Sequence, residues 1–403
     1  MTQFAVNVGR SCELLRSFST APEINIPLKG QSMTITGAIL NIDLEAFASN
    51  YRLIRDQVAP TPVAAVIKAN AYGIGALPAA HTLIAQGCRD FFVAHLSEAV
   101  DLEAILHPGI ALYVLNGLSP GGENRCASVG AIPVLNSLDQ IARWAATAKA
   151  LARPLPAALQ VDSGMSRLGL PPEEVAALLA DPTLLSGIEV KLLMSHLACS
   201  DDPGDDFNQQ QTANFEALAR HFPTVPRSLD NSGGSFLQRS HFDLVRAGIA
   251  LYGGAPTAGV NMMHAVVTLT THITQTRIVP AGTGVGYGLT HRTKRAARIA
   301  TIPVGYADGW PRQLSNRGAA YIGGQRVPII GRVSMDSITL DVTDIPEALL
   351  HPGAPVELIG PHQSIDDVAT DAGTISYEIL TQLGPRYHRI YHSERPALRS
   401  MSA

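Results

Sequence analysis

The chain has 403 residues, 46% of them hydrophobic and 16% charged, with a formal net charge of −4. That is enough apolar material for one large or two medium globular domains. No block of Lys and Arg is long enough to follow a nucleic-acid backbone or an anionic membrane, and no apolar stretch reaches the roughly 18 residues of a membrane helix.

Residues 1–33 carry Arg10, Glu13 and Arg16 and no continuous apolar core, so they read as a disordered extension rather than an export signal, with Met33 as an alternative start. The cytoplasm is the expected compartment. Residues 34–43 alternate like a strand and are expected to join a later β domain, and 44–58 have helical apolar spacing. Short apolar runs follow at 63–67, 91–94, 112–115, 133–135, 157–161, 190–194, 227–229 and 244–247. Helical segments such as 139–152, 172–179 and 207–221 lie between them. Alternation of this kind predicts an α/β fold with a parallel sheet. Its eight units suggest a (β/α)8 TIM-type barrel over residues 44–262, and a doubly wound open sheet is the alternative. From 263 to 403 the texture changes to alternating Thr-, Val- and Ile-rich runs at 266–278, 298–304, 321–330 and 337–342, punctuated by Gly and Pro. This predicts a mostly antiparallel C-terminal β domain, with one helix near 365–383. The four cysteines, Cys12, Cys88, Cys126 and Cys199, have neither CxxC nor Cys/His spacing, and the thirteen histidines form no HExxH motif, so no metal is expected.

In a parallel barrel, functional groups gather at the carboxyl ends of the strands. Lys68 ends the first apolar run, in VAAVIKANAYGIG. Burial there strips water from the amine and lowers its pKa, which makes it a nucleophile or base. A lone lysine in that place more commonly snorkels its ammonium to the surface. The residues after the later strands weigh against that reading. Arg167 follows the fifth strand, His196 the sixth, Asn231 and Ser232 with two glycines the seventh, and Arg246 ends the eighth. Taken singly, each has an ordinary alternative, such as a turn glycine pair, a core histidine, or arginines paired with Asp162 or Asp243. As a set they suit pyridoxal 5'-phosphate, with an amine for its aldehyde, loops for its phosphate, an arginine for its ring nitrogen and an imidazole to pack on the ring.

The motifs AVIKANAYGIG, VDSGMSRLG, SHLACSD, NSGGS, VRAGIALYGG, VGYGLT, VGYADGW, GRVSMD and ISYEIL, spread over residues 34–391, resemble those of the bacterial alanine racemases. The resemblance implies a barrel followed by a β domain, a head-to-tail homodimer with shared sites, and pyridoxal 5'-phosphate as cofactor. It implies interconversion of L- and D-alanine by two bases acting on the external aldimine. Lys68 would hold the cofactor and act as one base. Tyr287, in VGYGLT, would be the other, reaching the site of the partner subunit. Arg246 would bond the ring nitrogen, His196 would pack near the ring, and Arg167 would meet the phenolic oxygen and the substrate carboxylate. Tyr72, Ser232, Gly248, Ile249 and Tyr377 would hold the phosphate. Met335 would help hold the carboxylate through its backbone. Asp201, Tyr306, Arg312, Arg332 and Asp336 would line the access corridor or support the bases, with Arg312 as the cation that lowers the Tyr287 pKa.

The chain departs from the family at Gln160, where many members carry a lysine that becomes carbamylated. An amide brings no charge there, though it can accept a hydrogen bond from Arg167. Two other functions compete with this one. A barrel-type decarboxylase would place a carboxylate against the ring nitrogen, which Arg246 disfavours. A non-catalytic pyridoxal-phosphate-binding protein has no use for the whole β domain.

Overall fold

The computed structural model describes residues 37–393. The extension expected over 1–33 and the start of the strand expected at 34 lie outside these residues. Strand β1 (Ala38–Asp43) alternates buried and half-buried side chains. Asp43 then starts the helix Leu44–Gln57, its carboxylate accepting from the Ala46 N–H at 2.8 Å. That helix buries Phe47, Tyr51 and Ile54, a stripe at helical spacing.

Eight strands follow in the order the sequence predicts, their ends shifted by no more than two residues. They are β2 (Val63–Val66), β3 (Asp90–Val93), β4 (Ala111–Val114), β5 (Ile132–Leu135), β6 (Leu155–Gln160), β7 (Ile188–Met194), β8 (Arg227–Ser228) and β9 (Val245–Ala247). They form one eight-stranded sheet, β8-β7-β6-β5-β4-β3-β2-β9, with parallel pairing throughout. Every residue of β2 and β5 is buried, as expected for strands covered on both faces. The seam between β8 and β9 has no regular ladder, but single bonds close it. The Arg246 N–H donates to the Asp230 carbonyl at 2.9 Å, and Ser228 Oγ to the Leu244 carbonyl at 2.6 Å.

The β domain comprises β10 (Val267–His272), β11 (Gln275–Val279), β12 (Gly284–Val285), β13 (His291–Arg292), β14 (Ala297–Ile302), β15 (Ala319–Ile322), β16 (Gln325–Pro328), β17 (Ile338–Asp341), β18 (Pro355–Ile359) and β19 (His388–His392). A six-stranded sheet runs β16-β15-β18-β10-β1-β19, and a three-stranded sheet runs β11-β14-β17. Strand β1 sits between β10, antiparallel, and β19, parallel, so the start of the described chain completes this sheet.

Several expected elements differ. The run 266–278 is two strands in separate sheets. The run 321–330 is a hairpin that reverses at Gly323 and Gly324, both at positive φ. The helix expected near 365–383 is two, Ile365–Ala372 and Ser376–Thr381, because Gly373 takes a left-handed cap at φ 72°. Strands β18 and β19 were not anticipated.

Candidate active site

The residue after the first barrel strand begins a local structure that the sequence does not announce. Lys68–Tyr72 forms a left-handed turn, with φ of 53°, 54°, 51° and 50° at Ala69, Asn70, Ala71 and Tyr72. None of these is glycine, and such geometry costs about 1–2 kcal/mol per residue. Bonds from the Gly73 N–H to the Ala69 carbonyl and from the Gly75 N–H to the Asn70 carbonyl, both 2.9 Å, hold it closed. Asn70 Oδ1 also accepts from the Ala76 N–H at 2.8 Å. Glu98, on the helix after β3, accepts from the Ala69 N–H.

Lys68 opens onto a cavity of about 900 Å³ at the carboxyl ends of the barrel strands. Its walls bring together twelve residues named from the sequence, namely Lys68, Tyr72, Gln160, Arg167, His196, Asp201, Asn231, Ser232, Arg246, Gly248, Ile249 and Tyr377. Burial lowers the Lys68 pKa, and the positive charges of Arg167 and Arg246 add to this against the opposing pull of Glu98.

Arg246 is 2% exposed. Its guanidinium donates to Ser228 Oγ at 2.5 Å and to the Ser195 carbonyl at 2.7 Å, and lies 3.2 Å from His196 Nδ1. Among the described residues nothing accepts from its Nε. Burial pulls its pKa down to about 10, so it stays charged at neutral pH. His196 is held well below its ordinary range by burial, then by Arg246, Arg167 and Lys68, and is therefore neutral. Arg167 is exposed at the mouth and has no acceptor among the described residues. Gln160 is buried but does not reach it. The amide donates instead to the Leu168 carbonyl at 3.2 Å, so the bond to Arg167 that an amide could accept is not made here.

Ser232, Gly248, Tyr72 and Tyr377 also line this cavity. Ser232 Oγ accepts from the Gly248 N–H at 2.7 Å and so pins the β9 loop. A Cβ on Gly248 would lie 2.7 Å from the Tyr72 hydroxyl, so glycine permits the close approach. Tyr72 stacks on Tyr252 with ring centroids 4.4 Å apart, and Tyr377 packs beside it at 5.9 Å. Burial, and then the charge of Asp201, pushes the Tyr377 hydroxyl up to about 12, so it is a donor at neutral pH.

The remaining named residues lie outside this cavity, on the β domain. Tyr287 is 71% exposed on a tight turn with φ of 70° at both Gly286 and Gly288. The guanidinium packed on this turn is that of Arg332, whose Cζ would lie 3.7 Å from a Cβ on Gly288. Arg312, named from the sequence as the cation beside Tyr287, starts the short helix Arg312–Leu314. Tyr306 and Met335 are 42% and 52% exposed, and the Met335 carbonyl accepts from the Ala307 N–H at 3.0 Å. Arg386 ties these loops together, at 3.0 Å from Asp308 and 2.7 Å from Asp336. Sequence reasoning missed Glu98, Asp308 and Arg386. Each acts through backbone or loop contacts that no motif spacing records.

Among the described residues no helix is long and apolar enough to cross a membrane. Residues 42–256 match the alanine racemase N-terminal domain family, and residues 266–391 match the alanine racemase C-terminal domain family. An alanine racemase of Brucella abortus (strain 2308) is 53% identical over 370 residues, covering 88% of this chain and 93% of that protein. A catabolic alanine racemase of Rhizobium johnstonii is 53% identical over 354 residues, covering 87% of this chain and 94% of that protein. The crystal structure of an alanine racemase from Bartonella henselae with covalently bound pyridoxal phosphate superposes with a TM-score of 0.85 at 45% identity, over 88% of this chain and 99% of that one. With both domains matched in order and the barrel mouth built as described, the chain belongs to the alanine racemase family.

Proposed function

We propose that the protein interconverts L- and D-alanine using pyridoxal 5'-phosphate held in the barrel mouth, with Lys68 as one base and Tyr287 of the partner subunit as the other. In this reading residues 44–262 form the cofactor-binding barrel, and 263–403 form the β domain that presents Tyr287 to a second copy. The carrying observation is that Lys68, Arg246, Ser232 and Gly248 line one cavity, while Tyr287 stands exposed outside it.

The residues fit the cofactor. Lys68 offers an amine to its aldehyde, Arg246 a donor to its ring nitrogen, and Tyr72, Ser232, Gly248, Ile249 and Tyr377 a cradle for its phosphate. When bound, the cofactor supplies a conjugated ring that takes up the electron pair left as the Cα–H bond breaks. The protein supplies position and proton transfer. Lys68 Nζ removes or returns the α-proton on one face, and burial among cations keeps its neutral form accessible. The partner subunit's Tyr287 does the same on the opposite face, with Arg332 as the adjacent cation. Arg246 donates a hydrogen bond without surrendering its proton, so the ring nitrogen it meets stays unprotonated. Neutral His196 packs against the ring without adding charge. Arg167 receives the substrate carboxylate, with the Met335 backbone of the partner assisting.

The test is incubation with L-alanine in heavy water. Deuterium should appear at the α-carbon of both enantiomers, and Lys68→Ala should abolish that exchange. Borohydride reduction should fix the cofactor to Lys68. Attachment at any other lysine would overturn the assignment.

A further inference from the structure

Glu98 does more than its helix requires. It is the third residue of the helix Leu96–Asp101, where a glutamate commonly accepts from the N-cap N–H to complete a capping box. That function is met by one oxygen, Oε2, which accepts from the His95 N–H at 3.0 Å. The same oxygen also takes the Ala94 N–H at 2.7 Å, at the carboxyl end of β3. The other oxygen leaves the helix altogether. Oε1 accepts from the N–H of Ala69, the residue after Lys68 in the turn that follows the neighbouring strand β2. Helix capping gives no reason for that bond.

We infer that Glu98 is a positioning residue that holds the Lys68 turn in its left-handed form and so directs the Lys68 amine into the cavity. The Ala69 N–H belongs to the peptide plane joining it to Lys68, so a bond at that atom orients the base of the lysine side chain. The bonds from Gly73 and Gly75 stabilise the later part of the turn, and the Ala71 N–H reaches the Ile67 carbonyl at 2.9 Å. Glu98 is the side chain that, among the described residues, holds the N–H of the first peptide after Lys68. It does so from the helix after β3, a strand whose backbone also pairs with this strand end through the Ile67 N–H and the Phe92 carbonyl at 2.9 Å. One carboxylate therefore joins the ends of two barrel strands and restrains a backbone that four non-glycine residues would otherwise leave.

The inference rests on Lys68 as the reacting amine, and two substitutions test it in the holoenzyme. In Glu98→Ala both acceptor oxygens are lost, so the Ala69 N–H loses its bond. Glu98→Asp keeps the charge and the helix cap but shortens the reach to Ala69, and it carries the test if the first variant does not fold. Hydrogen–deuterium exchange over residues 67–75 should quicken about tenfold or more in either variant, as expected for loss of a charge-assisted bond. The kcat for L-alanine should fall by about tenfold, with KM little changed, because binding groups elsewhere in the cavity are untouched. Ser137→Ala removes the cap of a different barrel helix, where Ser137 Oγ accepts from the Gln140 N–H at 3.3 Å. It should lower the unfolding midpoint without either change. Unaltered exchange at 67–75 would overturn the inference and leave Glu98 a helix cap. Faster exchange with unaltered kcat would also overturn it, by separating the turn from the amine. The underlying reading fails by a different result, racemisation that survives Lys68→Ala.

Discussion

At the scale of single residues, the cavity is governed by what burial does to charge. Lys68, His196 and Arg246 all lose water, and each is pushed toward its neutral form. They respond differently because their ordinary values differ. Arg246 at about 10 remains a cation, while His196 does not titrate in the neutral range. The His196 shift has a consequence for stability. As pH falls through the ordinary 6.5, the unfolded chain takes up a proton that native His196 refuses. The stability present above that pH is therefore lost on acidification, at most about 1.4 kcal/mol per pH unit. His196→Gln should flatten the acid slope of the unfolding midpoint between about pH 6.5 and 5 by a matching amount. Equal slopes in the two proteins would assign that proton uptake to another group. A second prediction concerns Gln160, whose amide is spent on the Leu168 carbonyl. Adding bicarbonate to enzyme stripped of carbon dioxide should leave the racemisation rate unchanged, since an amide forms no lysine-type carbamate. A restored rate would show that another residue carries the modification. Lys68, His196, Ser232 and Arg246 were legible because each follows or ends an apolar run with the length and bounds of a parallel strand. Tyr287 was legible only through family resemblance, since an exposed tyrosine between glycines reads as a turn.

At the scale of elements, the barrel was the readable half. Strands buried on both faces leave continuous apolar runs, and a turn or helix signal bounds each one. The β domain was harder because its strands are short and change sheets. The run 266–278 looks continuous, yet β10 and β11 belong to different sheets. Strand β19 pairs with β1 across the whole described chain, a partnership that local pattern cannot carry. The left-handed Lys68 turn was illegible for another reason. Its conformation is imposed by Glu98 and by tertiary packing, against the preference of Ala, Asn and Tyr. The loop after β9 offers a test of how tightly these elements are fitted. Gly248→Ala would place a Cβ 2.7 Å from the Tyr72 hydroxyl and force that ring or the loop to move. Overpacking of this kind costs about 1–3 kcal/mol. Because both elements face the proposed phosphate cradle, affinity for pyridoxal 5'-phosphate should fall about tenfold or more in a titration of apoenzyme. The chain should still fold. Unchanged affinity would mean that Tyr72 and the β9 loop do not hold the anion.

At the scale of the molecule, the proposed chemistry needs two groups that one chain does not bring together. The Lys68 amine lines the barrel cavity, and Tyr287 is 71% exposed on the β domain, outside that cavity. Exposed apolar side chains accompany both regions, with Ile375 at 61% and Tyr377 at 40% near the cavity, and Leu289 at 53% and Met335 at 52% on the β domain. A head-to-tail pair would cover both regions at once and give each cavity a tyrosine from the other copy, which a symmetric dimer does twice. This makes the catalytic unit a testable property of the assembly. Lys68→Ala and Tyr287→Phe homodimers should each be severely impaired. Phenylalanine keeps the ring and removes only the hydroxyl, so folding and pairing should persist. Mixed under conditions of subunit exchange, the two variants form heterodimers in which one site lacks both groups and the other retains both. Activity should then return, to about half the wild-type value per heterodimer if the sites act independently. Mass spectrometry of the intact assemblies would verify that exchange occurred. Verified heterodimers with no recovered activity would place Tyr287 in the site of its own chain, or remove it from the reaction.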